Sequence, residues 1–159
     1  MNIWKCNDWK AYYSSRSPRG GIKTDFDKGV DGEVKNAIKN MLVWLRKEYS
    51  FPVRLRIYIK ETEQVKARDG DMVYDLFFWP DSRDDEPYIK FAAGDYVDLK
   101  KKMGKDDALA TLLIALSGEI THYFQWLNGL EFDEHSLMRR SRMYGKKVMR
   151  TYFDTVDHL

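Results

Sequence analysis

The chain has few of the features that mark secreted or membrane-spanning proteins. It contains one cysteine, Cys6, in 159 residues, so it cannot form an internal disulfide, which is typical of cytosolic proteins. Its longest nearly apolar run, residues 108–116, covers about half a bilayer span. The first ten residues lack the apolar core of a signal peptide. The sequence therefore predicts a cytoplasmic protein with no membrane segment.

A strong charge of one sign is also missing. Lys and Arg number 27 and Asp and Glu number 25, which leaves a net charge of +2, and this alone does not predict nucleic-acid binding. Hydrophobic residues make up 43% and charged residues 33%, an ordinary composition for a globular protein. A chain of this length buries roughly 70% of its unfolded surface. We expect one domain with a substantial core.

Hydrophobic periodicity predicts an α+β fold. A helix is expected first, then three strands, a central helix and a long last helix. The helices are predicted over residues 33–49, from 106 or 107 to 128, and over 133–155, and the strands over 53–60, 72–79 and 88–92. The central helix is apolar around most of its circumference, which is typical of a buried helix. Seven acidic residues between positions 69 and 87 predict a solvated loop surface without a catalytic role.

Residues 1–32 are predicted to form a polar N-terminal arm, separate from a single domain over residues 33–159. The arm combines Ser, Arg and Gly with four aromatic side chains: Trp4, Trp9, Tyr12 and Tyr13. Apolar rings usually find burial within their own chain. We therefore expect the arm to dock on its own domain; a partner protein is the alternative.

The central helix carries an incomplete metallopeptidase motif. In His-Glu-x-x-His, two imidazoles four residues apart bind one zinc ion, and the Glu polarises the attacking water. Here Glu119 and His122 have the required spacing, but Gly118 stands at the position of the first His. One imidazole ligand of the motif is missing.

This helix resembles that of small, single-domain bacterial zincin-like proteins, the minimal gluzincins, in which the motif is followed by an aromatic run such as Tyr123-Phe124-Gln125-Trp126. The resemblance covers most of residues 33–157 and implies a zincin-like fold with a small mixed sheet of about three strands packed on the central helix. Further segments that resemble the family are Phe51-Pro52-Val53-Arg54, Pro87-Tyr88-Ile89-Lys90, Ala93-Gly94-Asp95-Tyr96, Ala108-Leu109-Ala110, Trp126-Leu127-Asn128 and Tyr144-Gly145-Lys146-Lys147.

The resemblance also implies the roles of the remaining residues. It makes Glu119 a vestigial general base and His122 a vestigial metal ligand, with Gly118 and Met138 at the two lost ligand positions. Methionine is a poor substitute for a carboxylate on zinc, and a catalytic zinc normally keeps three protein ligands. Glu134 and His135 are candidate substitute ligands on the last helix. We expect no cofactor, and zinc only if an unusual site forms.

Residue chemistry alone supports a simpler interpretation of these two side chains. A histidine on an apolar helix is more often a hydrogen-bonded core residue than a metal ligand. A buried Glu119 without metal needs a partner or a raised pKa. His122, Arg139 and Arg142 are the partners that the sequence suggests.

We interpret the chain as a catalytically degenerate zincin-like protein that binds a protein or peptide partner in the former substrate groove. In zincins an edge strand beside the active-site helix pairs with extended peptide, which does not require zinc. The resemblance suggests residues 88–92 as that edge: Tyr88, Ile89, Lys90, Phe91 and Ala92. The alternative is a zinc-dependent peptidase whose unusual metal site uses Glu119 and His122.

Basic residues on the last helix suggest a weaker alternative, a nucleic-acid-binding module. Four of them recur at steps of three or four residues and share one helical face: Arg139, Arg142, Lys146 and Arg150. A second basic cluster, residues 100–102 with Lys105, precedes the central helix. Because the net charge is small, a solvated face is the favoured interpretation of these residues.

Overall fold

The computed structural model of the protein describes residues 2–11, 20–130 and 134–159, and for residues 134–138 it describes the backbone only. The α+β class is confirmed. The described α-helices are α1 (Gly32–Glu48), α2 (Tyr96–Met103), α3 (Lys105–Leu127) and α4 (Glu134–Phe153), and two short 3-10 helices span Ile3–Lys5 and Asp8–Ala11. The described strands are β1 (Ile22–Phe26), β2 (Leu55–Lys60), β3 (Val65–Lys66), β4 (Met72–Val73), β5 (Asp75–Phe78) and β6 (Tyr88–Ala92).

The described strands form one four-stranded sheet and one small hairpin. The order in the main sheet is β1-β2-β6-β5, and β3 pairs with β4 in the hairpin. Strands β1, β2 and β6 are parallel, whereas β5 runs antiparallel to β6. The β1-α1-β2 unit is a helical crossover between parallel neighbours, the connection that parallel strands require. The result is a mixed sheet that ends in one antiparallel strand.

The core lies between one face of this sheet and helices α1 and α3. In β2 the side chains alternate, so that Leu55, Ile57 and Ile59 are fully buried and the residues between them are half-exposed. From α1, Ile38, Met41, Leu42 and Leu45 enter the same cluster, and α3 adds residues from nearly its whole length. The predicted central position of this helix is therefore confirmed.

The described N-terminal residues do not form an arm separate from the domain, because they join its sheet and its core. Residues 22–26 form β1, because Ile22, Thr24 and Phe26 alternate toward the core and pair in register with β2. Ile3 and Trp4 are each only 2% exposed, and the Trp4 Nε1–H donates to Thr121 Oγ1 on α3 at 2.9 Å. The expectation that Trp4 docks on its own domain is confirmed. Tyr12 and Tyr13 lie outside the described residues.

Two further elements depart from the predictions. The strand predicted over 72–79 is interrupted by a bend at Tyr74, which separates β4 in the hairpin from β5 in the main sheet. Helix α2 was not predicted, because it is short and three of its eight residues are consecutive lysines. Gly104, with φ of 88°, separates α2 from α3. A backbone in this left-handed region favours glycine.

Candidate functional site

Helix α3 places Glu119 and His122 on the wall of a cleft of about 440 Å³. Asp75, the first residue of β5, and Tyr74 before it form a second wall. Helix α4 forms the third with Ser141, Arg142 and Lys146. The cleft thus lies where the antiparallel edge of the sheet meets the two longest helices. Glu119 and His122 face it together because residues three apart share a helical face.

Glu119 is paired with Asp75, a partner that the sequence did not suggest. The two carboxyl groups share a hydrogen bond, and burial raises the pKa of Glu119 well above its ordinary value, with the charge of Asp75 adding to the rise. Desolvation also raises the pKa of Asp75, but the hydrogen bond from Glu119 and the positive charge of Arg142 oppose that rise. The stronger rise at Glu119 favours Glu119 as the protonated donor and Asp75 as the acceptor.

Asp75 belongs to the acidic stretch for which the sequence predicts a solvated loop surface, and that prediction is wrong for this residue. The strand alternation explains the difference: Asp75 pairs in register with Phe91 and Phe77 with Ile89, and both partners point into the core. Asp75 and Phe77 therefore face α3, whereas Leu76 and Phe78 face away. The sequence signal that could have identified Asp75 was its inward position in the strand alternation. The acidic residues around it made it look like part of a solvated loop.

His122 is held by hydrogen bonding and stacking. Its Nδ1 lies 2.8 Å from Gln125 Oε1, and its ring stacks on Phe77 with 6.4 Å between centroids. Burial lowers the pKa of His122, and the hydrogen bond to Gln125 partly opposes that shift. The neutral imidazole of a hydrogen-bonded, half-buried histidine is the form that this environment favours.

The described side chains around the cleft do not form the ligand set of a zinc ion. Within the described residues no three His, Cys, Asp or Glu side chains converge as metal ligands would. Gly118 offers no ligand, and Glu119 is hydrogen-bonded to Asp75. A methyl group built on Gly118 would meet no heavy atom within 4 Å outside its own helix backbone. The side chains of Met138, Glu134 and His135 lie outside the described residues.

The basic residues of α4 separate into two groups. Arg142 and Lys146, one turn apart, line the cleft, and Arg142 acts on Asp75 rather than on Glu119. Arg139 and Arg150 are exposed on the same helix. The second predicted cluster is partly neutralised, because Lys100 and Lys105 both form ion pairs with Glu33, at 2.6 and 3.4 Å. The α4 cations thus have different surroundings.

The aromatic run after His122 fastens two loops to α3. The Tyr123 hydroxyl donates to the Val53 carbonyl at 2.6 Å and accepts from the Val53 N–H at 3.2 Å. The Trp126 Nε1–H donates at 2.7 Å to the carbonyl of Pro80, which lies two residues after the end of β5. These bonds connect α3 to the start of β2 and to the end of β5. They hold β5 beside the helix.

Strand β6, residues 88–92, is not the edge strand that the resemblance suggested. It lies between β2 and β5 and is hydrogen-bonded on both sides. The strand that lies at the edge and packs against α3 is β5. Strand order depends on pairing between distant segments, so the spacing of residues 88–92 carried no information about it.

No helix in the described part of the chain is long and apolar enough to cross a membrane. Comparison of the chain with protein-family models, with curated proteins and with solved structures finds no match. The likeness to zincins therefore stays a prediction that rests on the sequence motifs around Glu119 and His122.

Proposed function

We propose that this protein is a zincin-like protein without metal chemistry that binds an extended peptide segment of a partner along β5, beside the cleft. The observation that carries the proposal is the position of β5, an edge strand that packs against the helix bearing Glu119 and His122. An edge strand offers unpaired main-chain groups to which a peptide can add as a further strand.

The register indicates which groups face the incoming peptide. The Ala92 N–H donates to the Tyr74 carbonyl at 2.9 Å, so Tyr74, Leu76 and Phe78 direct their main-chain groups toward β6. Because these directions alternate along an antiparallel strand, the N–H and C=O of Asp75 and Phe77 point to the outer edge. Their side chains face α3, so a peptide paired there would run along the cleft.

The cleft beside β5 carries groups of both charge signs. Glu119 shares a hydrogen bond with Asp75, and burial raises the pKa of Glu119 well above its ordinary value, which favours its protonated form. At the other side of the cleft, Arg142 and Lys146 supply positive charge. We expect bound peptides to carry an acidic side chain or a terminal carboxylate near these two residues.

The test is selection of binders from a displayed library of random peptides against the purified protein, followed by affinity measurement with the selected sequences. Phe77→Pro removes the outward N–H, and Phe77→Ala keeps that N–H while removing the ring. We expect a selected consensus that loses at least tenfold in affinity with Phe77→Pro and clearly less with Phe77→Ala. Circular dichroism establishes that both variants are folded.

Two results would contradict the proposal. The first is a library that yields no consensus, or peptides that bind Phe77→Pro as tightly as the unchanged protein. The second is zinc at about one ion per chain after purification and desalting, lost on His122→Ala, with peptide hydrolysis that is lost on Glu119→Gln. That second outcome would support the zinc peptidase instead.

A further inference from the structure

The main sheet has a second face, turned away from α1 and α3, which we call the outer face. It is formed by Lys23 and Asp25 of β1, Arg56, Tyr58 and Lys60 of β2, Tyr88 and Lys90 of β6, and Leu76 and Phe78 of β5. The β2 and β6 side chains on this face are half-exposed, whereas those between them are buried. The face is therefore accessible, and it is rich in rings and cations.

Three aromatic rings form a continuous patch across it. Phe78 and Tyr88 are stacked, with 4.8 Å between centroids and planes 16° apart. Tyr58 meets the Tyr88 ring edge-on at 6.0 Å. Apolar rings gathered on the solvent side of a sheet provide surfaces on which other flat, apolar groups can stack.

Cations lie over these rings. The Arg68 guanidinium is 4.3 Å from the centroid of Phe78, and the ammonium groups of Lys90 and Lys60 lie 5.9 and 5.7 Å from the centroids of Tyr88 and Tyr58. Two carboxylates at the rim, Glu86 and Asp27, pair with Arg56 and Lys60 at 3.0 and 3.7 Å. Lys90 and Arg68 contact rings instead, so their charge is available to a ligand.

A concave site adjoins the patch. Arg68, Phe78, Trp79 and Tyr88 line a cleft of about 400 Å³ between the β3–β4 hairpin and β5. This volume falls within the usual range for small-molecule pockets. Its lining combines flat aromatic walls with a guanidinium, the group that stacks on a base and also binds phosphate. It also includes one carboxylate, that of Asp69.

We propose that the outer face binds single-stranded nucleic acid, with one base in the cleft beside Arg68, Phe78 and Tyr88 and the phosphate backbone near Lys90 and Lys23. Aromatic stacking accounts for single strands, because the bases of a duplex do not expose their faces. This surface is distinct from the α4 basic face, and its cleft adjoins the β5 edge at Phe77. The proposal does not depend on the peptide-binding function.

The experiment is fluorescence anisotropy with a labelled oligothymidylate of about 12 nucleotides, within the usual site size for such surfaces, and with a duplex of the same length. We expect single-strand binding that is tighter than duplex binding and that weakens as salt rises. Tyr88→Leu removes the ring but keeps an apolar side chain. It should weaken binding by roughly five- to 100-fold, as loss of one stacked base does.

Lys90→Glu and Arg150→Glu form a matched pair, because both reverse one positive charge, the first on the outer face and the second on α4. Lys90→Glu should weaken binding and reduce its salt dependence, whereas Arg150→Glu should leave the affinity within about twofold. Equal binding of duplex and single strand, full affinity in Tyr88→Leu, or loss of binding in Arg150→Glu alone would overturn the proposal.

Discussion

At the scale of single residues, the two glycines where α3 and α4 approach each other have different tasks. A methyl group on Gly145 would lie 2.6 Å from Ser117 Oγ and 2.9 Å from the Gly118 nitrogen, whereas one on Gly118 would enter open space in the cleft. Gly145 therefore permits close contact between the helices. At Gly118, by contrast, packing would allow a side chain.

This difference gives a paired prediction. Gly118→Ala should raise the free energy of unfolding by about 0.5–1 kcal/mol, because alanine loses less backbone entropy in a helix. Gly145→Ala should lower it by about 1–3 kcal/mol through overpacking. Urea denaturation of both variants checks the signs. Equal effects of the two substitutions would contradict the close contact assigned to Gly145.

The Asp75–Glu119 pair predicts a pH dependence of stability. Because the folded-state pKa of Glu119 is raised above the ordinary value of 4.5, the folded protein binds a proton that the unfolded chain releases. Its contribution to the free energy of unfolding therefore falls as pH rises from about 4.5 toward the folded-state pKa, by about 1.4 kcal/mol for each pH unit in that interval. Glu119→Gln keeps a donor to Asp75 and cannot ionise.

We expect Glu119→Gln to be more stable than the unchanged protein at pH 8, with the difference shrinking toward pH 4.5. The lowered pKa of His122 acts oppositely, since its contribution is lost as pH falls below the ordinary value of 6.5, but it is common to both proteins. Glu48→Gln, at an exposed glutamate of α1, serves as the control. Parallel pH profiles for all three proteins would contradict the pair.

At the scale of elements, β5 and the N-terminal segment are both fastened to α3. The Trp126–Pro80 hydrogen bond holds the end of β5, and Trp4 packs with centroid distances of 5.0 Å against both Tyr49 and Phe124. Helix α3 is thus the element that the chain's start, the β5 strand and α4 all contact. Its side chains set the positions of its neighbours.

The N-terminal residues should therefore contribute strongly to stability. Trp4→Ala removes a ring that is 2% exposed, and we expect it to lower the free energy of unfolding by about 3–5 kcal/mol. Trp4→Phe keeps most of the packing and loses the bond to Thr121, so about 1 kcal/mol is expected. Chemical denaturation measures both. A loss below about 1 kcal/mol in Trp4→Ala would show that the segment is dispensable.

At the scale of the whole molecule, the predictions that the structure confirms are those whose signal is local. The predicted strand over 88–92 coincides with β6, and the helices predicted around Ile38, Leu116 and Val148 are present with ends shifted by a few residues. A periodicity of 3.6 or 2 residues decides which side chains share a face, and it can be recognised from residues that are close together in the sequence. The common face of Glu119 and His122 followed in this way.

The sequence by itself thus determined the α+β class, the burial of the central helix and the incomplete motif on it. Only the tertiary structure decided that β1 joins the sheet, that β5 is the edge strand beside α3 and that Asp75 pairs with Glu119. Each of these depends on pairing between residues far apart in the chain, and a two-residue alternation permits several strand orders. Asp75 and Glu119 are both desolvated at the cleft, and a polar group that is removed from water needs a hydrogen-bond partner. Each carboxyl group is therefore the partner of the other.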